Sequence, residues 1–346
     1  MKRFFLLLLL TLLCLSGCSQ SLSLPRANEP RNMALISVIG LSREETDAIQ
    51  LHAATQGRAD VPPLQYEAQG GSIATAQRET RTQGAYTASY AHVEHVLVEE
   101  ASAQSCVEQA LSFGFQNGEQ SVEGKLWILR GVTMEELFAQ ETDLAGRLEN
   151  LKTGGEAGTA LPSRSLRQLA AQLADTKAAI IPALRMEGAG LVFDGYAIFV
   201  QGQPLEYVDG NLAAAMAILA GDSLHWTEHI VGTDGSQAAL QLHADGSTVA
   251  PVMKNGMLTG LDIVCTVKSS PTELWESQQA EGAEARADAQ LKAQLLRGVK
   301  RLQERGADPI NLRRRAALTQ PWQWQAIQNQ WDSAFPELEC NIIIKH

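Results

Sequence analysis

Beyond its first fifteen residues the chain has no long apolar run, and nothing approaches the ~18 uninterrupted apolar residues that a membrane-spanning helix needs. A transmembrane bundle is therefore excluded. No phosphate-binding P-loop and no Gly-x-Ser-x-Gly elbow occur, which removes two common signatures of nucleotide-driven and hydrolytic chemistry. Gly188-Ala-Gly190 has no third glycine at the dinucleotide spacing, and it precedes an apolar strand where that fingerprint should follow one. Basic residues are in the minority, 28 Lys and Arg against 39 Asp and Glu, for a formal net charge of −11. Nucleic acid and direct adhesion to anionic lipid both select a basic patch, so neither is expected as a partner. Aromatic residues make up only 5% of the chain. Cysteines are scarce and badly placed for a disulfide framework: Cys106, Cys265 and Cys340 are an odd set, far apart in apolar surroundings, and read as buried small hydrophobes.

What is present begins at the amino terminus. Residues 1–17 have the form of a signal peptide: Lys2 and Arg3 are followed by an apolar core from Phe4 to Leu15, too short to span a bilayer. Leu15-Ser16-Gly17-Cys18 then resembles the bacterial lipobox, in which the cysteine receives diacylglycerol and the leader is cut before it. Two or more acyl chains anchor a protein stably where one holds it only marginally. An ordinary signal peptide with an incidental Cys18 is the competing reading. The expected product is a globular body on the extracytoplasmic face of a membrane, with residues 18–32, polar and carrying two prolines, as a lipid-attached linker.

The remaining length suits about two domains, placed at 33–186 and 187–346. In the first, "ALISVIGL" (34–41) and "DAIQLHAAT" (47–55) read as strands, although Ser42 and Glu45 would also suit a helical capping box. Helices are predicted over 71–84 and 102–115, the latter capped by Ser102, with strands over 92–100 and 124–132. Thr133 and Glu136 form a second capping box. It opens a helix carrying Leu137, Phe138, Leu144, Leu148 and Leu151 inward. "KTGGEAGTALP" (152–162) reads as a flexible break, and 163–177 as a helix. This alternation predicts a mixed α/β layer. In the second domain a helix over 211–222, ended by Gly221, precedes four strand-like pieces whose turns are "TDGS", "DGS" and Asn255-Gly256. A long helix is expected from Ser270-Pro271 to Gly306, then an aromatic-studded helix and a final strand. The fold class is α+β: an N-terminal mixed α/β domain followed by a C-terminal antiparallel sheet packed with a long helix.

Chemistry-bearing patterns are few. His92/His95 and His225/His229 have spacings that would hold a metal on a helix, but on strands residues three apart face opposite sides and residues four apart lie roughly 13 Å apart. Histidines on sheet faces are the expected outcome, with no metal. Glu99, Glu100, Glu135 and Glu136 read as solvated or helix-dipole carboxylates. No catalytic residue and no cofactor are assigned, so the chain is not read as an enzyme. Trp322, Trp324, Trp331 and Phe335 form the notable cluster. Trp324, Trp331 and Phe335 share one helical side, which core packing explains, and the alternative is an exposed anchor for a partner subunit.

The closing stretch "ADPINLRRRAALTQPWQWQAIQNQWDSAFPELECNIIIKH" resembles the signature of the C-subunit lipoproteins of spore germinant receptors, the Ger(x)C family. The matching residues are Asp308 at the end of the long helix, the Pro321-Trp322 step, the Trp331-Asp332 pair and Phe335 ahead of a final strand. "GLVFDGYAIFVQGQPLEYVDGNLAAAMAILAGD" and "YAHVEHVLVEEASA" are similar to two further family segments, and the lipobox at Cys18 fits. The chain departs from the family pattern at Ser42, where an aspartate is usual, and at "QNGE" (116–119), where an Arg-Asp pair is usual. The resemblance implies an α+β body and a lipid-anchored, non-enzymatic subunit. It would act with two integral membrane partners in the spore inner membrane, where nutrients trigger germination. An extracytoplasmic solute-binding lipoprotein, with a small-molecule pocket between its domains, is the alternative, and a lipoprotein hydrolase ranks third.

Overall fold

The computed structural model describes residues 32–346, apart from 44–46, 58–61, 142, 189, 204, 232–236 and 275–279. Cys18, the leader and nearly all of the linker lie outside the described residues, as do Glu45 of the alternative capping box and the "TDGS" turn.

A ten-stranded sheet dominates the amino-terminal half, and its centre is parallel. Strands β1 (Met33–Arg43), β5 (His95–Glu99), β6 (Lys125–Arg130) and β8 (Ala178–Glu187) pair in parallel in that order. β2 (Ile49–Thr55) and β3 (Gln65–Gly70) extend one edge antiparallel, β9 (Gly190–Val200) and β10 (Glu206–Val208) extend the other, and the short β4 (Thr87–Ser89) and β7 (Arg164–Ser165) pair off this path. The central strands are apolar on both faces, as a sheet covered on both sides requires. Val96, Val98, Leu126 and Ile128 pack beneath α1 (Ile73–Thr80), α2 (Ala103–Gln116) and α5 (Leu166–Thr176). Their neighbours Leu97, Trp127 and Leu129 face the other way, toward α3 (Met134–Gln140) and α4 (Leu144–Glu156). The predicted mixed α/β layer is therefore a helix–sheet–helix sandwich.

The capping box at Thr133 and Glu136 forms in both directions, but the helix it opens stops at Gln140, and Asp143 caps a separate one. Ser102 stands at the predicted cap of α2, yet its hydroxyl accepts from the Arg43 backbone instead, at 2.8 Å. The glycines at 154 and 155, read as a flexible break, lie inside α4. A β-carbon on Gly155 would lie 2.9 Å from the Leu161 carbonyl, so these glycines serve close chain approach rather than mobility.

The expected boundary at 187 falls on the tight turn between β8 and β9, where Glu187 pairs with Gly190, and the sheet continues across it. Within β9, Gly195 lets the end of β10 lie close: it has φ +86°, and a β-carbon there would lie 1.9 Å from the Val208 carbonyl. After α6 (Gly210–Leu219), a second, four-stranded sheet runs in the order β11 (Leu224–Val231), β12 (Gln237–Lys254), β13 (Met257–Leu274), β14 (Glu339–Lys345). β11, β12 and β13 are antiparallel, whereas β14 pairs with β13 in parallel. The sheet is thus mixed at one edge. The long helix α7 (Ala280–Arg305) lies across it with Ala287, Leu291, Leu295, Val299 and Leu302 buried, the stripe its spacing predicts. α8 (Leu312–Thr319), α9 (Pro321–Ile327) and the single-turn α10 (Trp331–Ala334) complete this half.

Two expectations fail here for one reason. "DGS" at 245–247 is not a turn but a bulge inside β12, marked by a register shift between Ala244 and Ser247, with Gly246 at φ +78°. Ser270-Pro271 does not start the long helix: β13 continues to Leu274, with Pro271 opposite Leu240. β14 pairs with β13 only as far as Thr266, so Pro271 sits where the strand has a free edge and its missing N–H costs no ladder bond. In both places long-range register overrides the local rule. Asn255-Gly256 is the expected hairpin turn, with φ +53° and +78°.

Candidate functional site

The histidines are placed by strand register. His92 precedes β5 and is exposed, whereas His95 starts the strand and is only 1% exposed. His95 faces the same side as Trp127, whose indole Nε1 donates to its Nδ1 at 3.3 Å. The proton of the neutral ring is then on Nε2, which lies 3.5 Å from Glu149 Oε2. Burial is the main reason that the His95 pKa falls to about 4, outweighing the opposite pull of Glu149. Glu94, His95 and Glu149 bring their ligand atoms within 4.8 Å of one another, close enough to share a cation. The tautomer opposes it: the Nε2 lone pair a metal would need carries the proton, and Lys152 already holds both Glu149 oxygens, at 3.0 and 2.9 Å. The arrangement is a packed indole–imidazole–carboxylate chain beneath α4.

His225 and His229 lie on β11, as expected of sheet histidines. His225 does not meet His229 but stacks on His243 of β12, ring centroids 3.7 Å apart, while His243 Nε2 reaches Asp245 at 2.9 Å. Only the antiparallel register, His225 opposite His243, brings these together. The carboxylates behave as helix-terminus partners. Glu99 accepts from the Met134 backbone at the start of α3, Glu136 belongs to the capping box, and Glu100 meets Arg130. Gly188, at φ +60°, belongs to the β8–β9 turn. Cys106, Cys265 and Cys340 are free thiols, and burial pushes Cys265 up to about 12 and Cys340 to about 11, which keeps both protonated and unreactive.

The carboxyl-terminal aromatics divide. Trp331 and Phe335 are each 2% exposed and stack with centroids 5.3 Å apart, and Trp324, half-buried, meets Trp331 edge-on at 5.6 Å. Trp331 and Phe335 are core, the packing reading of that helical side, and leave the alternative of an exposed anchor to the other two tryptophans. Trp322 is the exception: it follows Pro321 at the start of α9 and is 84% exposed, and Leu318 near the end of α8, across the break at Gln320, is 73% exposed. These are the two large apolar side chains that the carboxyl-terminal helices expose. Asp308, named in the sequence signature, is buried, and its two oxygens accept from the Leu312 and Arg313 backbones at 2.8 and 2.7 Å. It is the side chain that caps α8.

Between the halves lies a contact that no sequence pattern announced. The chain leaves α6 through Gly221 (φ +93°), with Asp222 N–H bonding Ala217 O and Gly221 N–H bonding Ile218 O in a Schellman arrangement. This turn aims Asp222 at Arg164 of β7, and the carboxylate takes both guanidinium Nη groups, Nη1 at 2.9 Å. Burial disfavours the Arg164 charge, but Asp222 outweighs it and raises the pKa above the ordinary arginine value. Around this pair, Tyr196 donates to the Pro162 carbonyl at 3.0 Å and His225 N–H to the Gly158 carbonyl at 2.7 Å. Ala178, Ile180, Tyr196, Ile198 and Val200 of the large sheet join the core built by α6, α7 and the small sheet. The seam is packed like an interior.

Comparison with known proteins gives a consistent picture. Residues 26–186 match the family model described as the spore germination protein N-terminal domain, and residues 194–345 match that described as spore germination B3/GerAC-like, C-terminal. Among solved structures, the crystal structure of the GerBC protein superposes with a TM-score of 0.56 at 14% identity, covering 88% of this chain and 95% of that one. No curated protein matches the chain. No helix among the described residues is long and apolar enough to cross a membrane.

Proposed function

The chain belongs to the Ger(x)C family of spore germinant-receptor C subunits, and we propose that it is the lipid-anchored, non-enzymatic subunit of such a receptor, required for nutrient-triggered germination. The observation that carries this reading is the order of the two matches: an N-terminal and a C-terminal germination domain follow one another along one chain. In this reading Cys18 is acylated and the leader removed, which holds the body on the extracytoplasmic face of the spore inner membrane. Confinement to the membrane plane raises its effective concentration toward two integral membrane subunits, so contacts too weak for free association suffice. Exposed Trp322 and Leu318 offer the anchor for such a contact, as tryptophan dominates binding hot spots.

The test is a Cys18→Ala chain expressed in the native spore-former, scored in the same spores for membrane retention and nutrient-triggered germination. Loss of both is the expected result. Normal germination by a chain released from the membrane would overturn the proposal, as would an affinity-tagged native chain that brings down no integral membrane protein.

A further inference from the structure

Among the described residues of the amino-terminal half, the large apolar side chains left exposed are Leu35, Leu64, Tyr86 and Phe115, at 42%, 38%, 43% and 53%. Topology puts all of them at one end of the large sheet. β1, β5 and β6 run in parallel, and β3 shares their direction, being antiparallel to β2, which is antiparallel to β1. Leu35 lies near the start of β1. Leu64 immediately precedes β3, where its carbonyl accepts from Thr55, the partner of Ile36. α1 carries the chain from β3 back toward β4, which is parallel to β1, so Tyr86, just before β4, is at the same end. α2 connects parallel β5 and β6, so its last turn, with Phe115, returns there too. The Arg81–Glu119 ion pair ties together the segments that follow these two helices.

Leu64 and Tyr86 rim a surface cleft of about 440 Å³ with Tyr66 in its lining. Leu35 alternates with the core-facing Ala34 and Ile36, so it projects from the opposite face of the sheet. The sheet end is therefore apolar on both faces. A protein surface covers one face of such an end, whereas a fluid hydrocarbon boundary surrounds both. The entry of the chain points the same way. Residue 32 leads into β1 at this end, and the lipid is expected on Cys18 at the other end of a linker that spans at most ~50 Å. From Ser19 to Asn32 that linker carries two arginines and one glutamate in a chain of net charge −11, so the acidic surplus lies elsewhere.

We infer that this sheet end is the face the protein turns to the bilayer, with Leu35, Leu64, Tyr86 and Phe115 dipping into the headgroup boundary, the level that tyrosine rings prefer. The inference rests on the lipid-anchored reading. The attraction is apolar and needs no basic patch: the anchor keeps the face near the membrane, where contacts too weak to hold a free chain suffice.

The experiment places an environment-sensitive fluorophore on cysteines introduced singly into the full chain, which is extracted with its anchor and reconstituted in phosphatidylcholine vesicles. Leu64→Cys, Tyr86→Cys and Phe115→Cys report on the proposed face. Glu187→Cys, in the β8–β9 turn, reports on the opposite end of the sheet, and the chain without an added cysteine is the labelling blank. The probe is phosphatidylcholine carrying a shallow spin-label quencher. At a depth of ~5–10 Å each of the three labels should lose about half its fluorescence, and the label at position 187 almost none. Tyr86→Ser together with Phe115→Ser alters exposed side chains only, so it should leave the unfolding midpoint and flotation with vesicles unchanged while cutting the quenching at position 64 about twofold. A chain that floats with the vesicles but shows no quenching at the three positions, or as much at 187, overturns the inference and leaves the anchored reading intact. Labels shielded only when integral membrane subunits are co-reconstituted would assign the face to a protein contact and would also overturn it. A chain that fails to float removes the anchored reading and the inference with it, so flotation tells the two failures apart.

Discussion

Replacing Asp222 by alanine should loosen the two halves from one another. The Arg164 side chain is 8% exposed and that of Asp222 21%, so the ion pair is largely dry on the arginine side. Removing the carboxylate leaves a guanidinium in the seam with no counter-charge. It also removes one of the two carboxylates, Asp222 and Asp308, that favour the charge of Arg315, which burial already disfavours. Breaking a buried pair in this way costs about 3–5 kcal/mol. Partial exposure of Asp222 places the expected value near the lower end, about 3 kcal/mol. Urea unfolding followed by intrinsic fluorescence reads it as a fall in midpoint. The native slope should also give way to two steps, because Trp127 reports on the large sheet and Trp331 on the small one.

The control is the double variant Arg164→Met, Asp222→Leu. It removes both charges and keeps apolar volume in the seam, and such replacements are often neutral or stabilising. Most of the 3 kcal/mol should return. If Asp222→Ala costs less than about 1 kcal/mol, the pair behaves as a surface bridge and the argument from burial is wrong. If the double variant is as unstable as the single, the penalty comes from lost hydrogen-bond geometry rather than a stranded charge.

Other consequences are equally direct. Gly246→Ala should destabilise by about 2 kcal/mol in the same assay, since φ is +78° and the new β-carbon would lie 2.5 Å from the Gly221 carbonyl; an unchanged midpoint would mean the bulge relaxes freely. Trp331→Ala should cost about 3–5 kcal/mol, whereas Trp322→Ala should leave the midpoint within about 0.5 kcal/mol while weakening recovery of membrane partners. Equal stability costs would refute the division of the aromatics into core and surface. His95 and Asp308 should give opposite pH dependences. Burial lowers His95 from 6.5 to about 4, so the stability it contributes above pH 6.5 is lost as pH falls toward 4; burial raises Asp308 from 3.8 to about 6, so its contribution below pH 3.8 is lost as pH rises through 6. Between pH 4 and 6, His95→Gln should therefore leave stability falling with pH and Asp308→Asn should leave it rising, each with a slope of about 1.4 kcal/mol per pH unit relative to wild type, and parallel profiles would contradict both assignments.

The elements that sequence reading located are those whose signal is complete within a few residues. Thr133 and Glu136 cap each other, Asn255-Gly256 supplies two positive φ angles, and the α7 stripe needs only helical periodicity. Where reading failed, the deciding atoms lie far away in sequence. "DGS" has the composition of a turn, but β13 holds the chain straight on both sides of it and Gly221 packs against Gly246, so a bulge is the only accommodation. Ser270-Pro271 has the composition of a helix start. Pairing with Gln241 and Leu240 claims it for β13 before helix propensity can act. A glycine pair that looks like slack in "KTGGEAG" is close packing, because the atoms that Gly154 must avoid belong to Ala160 and those that Gly155 must avoid to Leu161 and Pro162.

The same distinction explains what was visible of the candidate site. Helical spacing correctly placed Trp324, Trp331 and Phe335 on one side, but which face turns inward depends on where α9 breaks and on Gln303 of α7, whose amide holds the Phe335 and Leu338 carbonyls at 2.9 Å each. The seam had no sequence signal at all. Arg164 and Asp222 are 58 residues apart, and each alone looks like an ordinary surface charge. The backbone details give them meaning: Ser165 caps α5 and so fixes the direction of Arg164, and Gly221 closes α6 so that Asp222 turns back toward it. These details also decide how a signal can pass through the protein. The lipid is expected at the amino terminus and the exposed tryptophan lies near the carboxyl terminus, so a message from one half to the other crosses the seam, which the β8–β9 sheet, the apolar core behind it, the His225–Gly158 hydrogen bond, the Glu206–Arg301 ion pair and the Arg164–Asp222 pair join. The sheet and core run without a break across the seam. Of these contacts, the Arg164–Asp222 pair is one that a change of a few kcal/mol can make or break, and so one that can shift the balance between two arrangements of the halves.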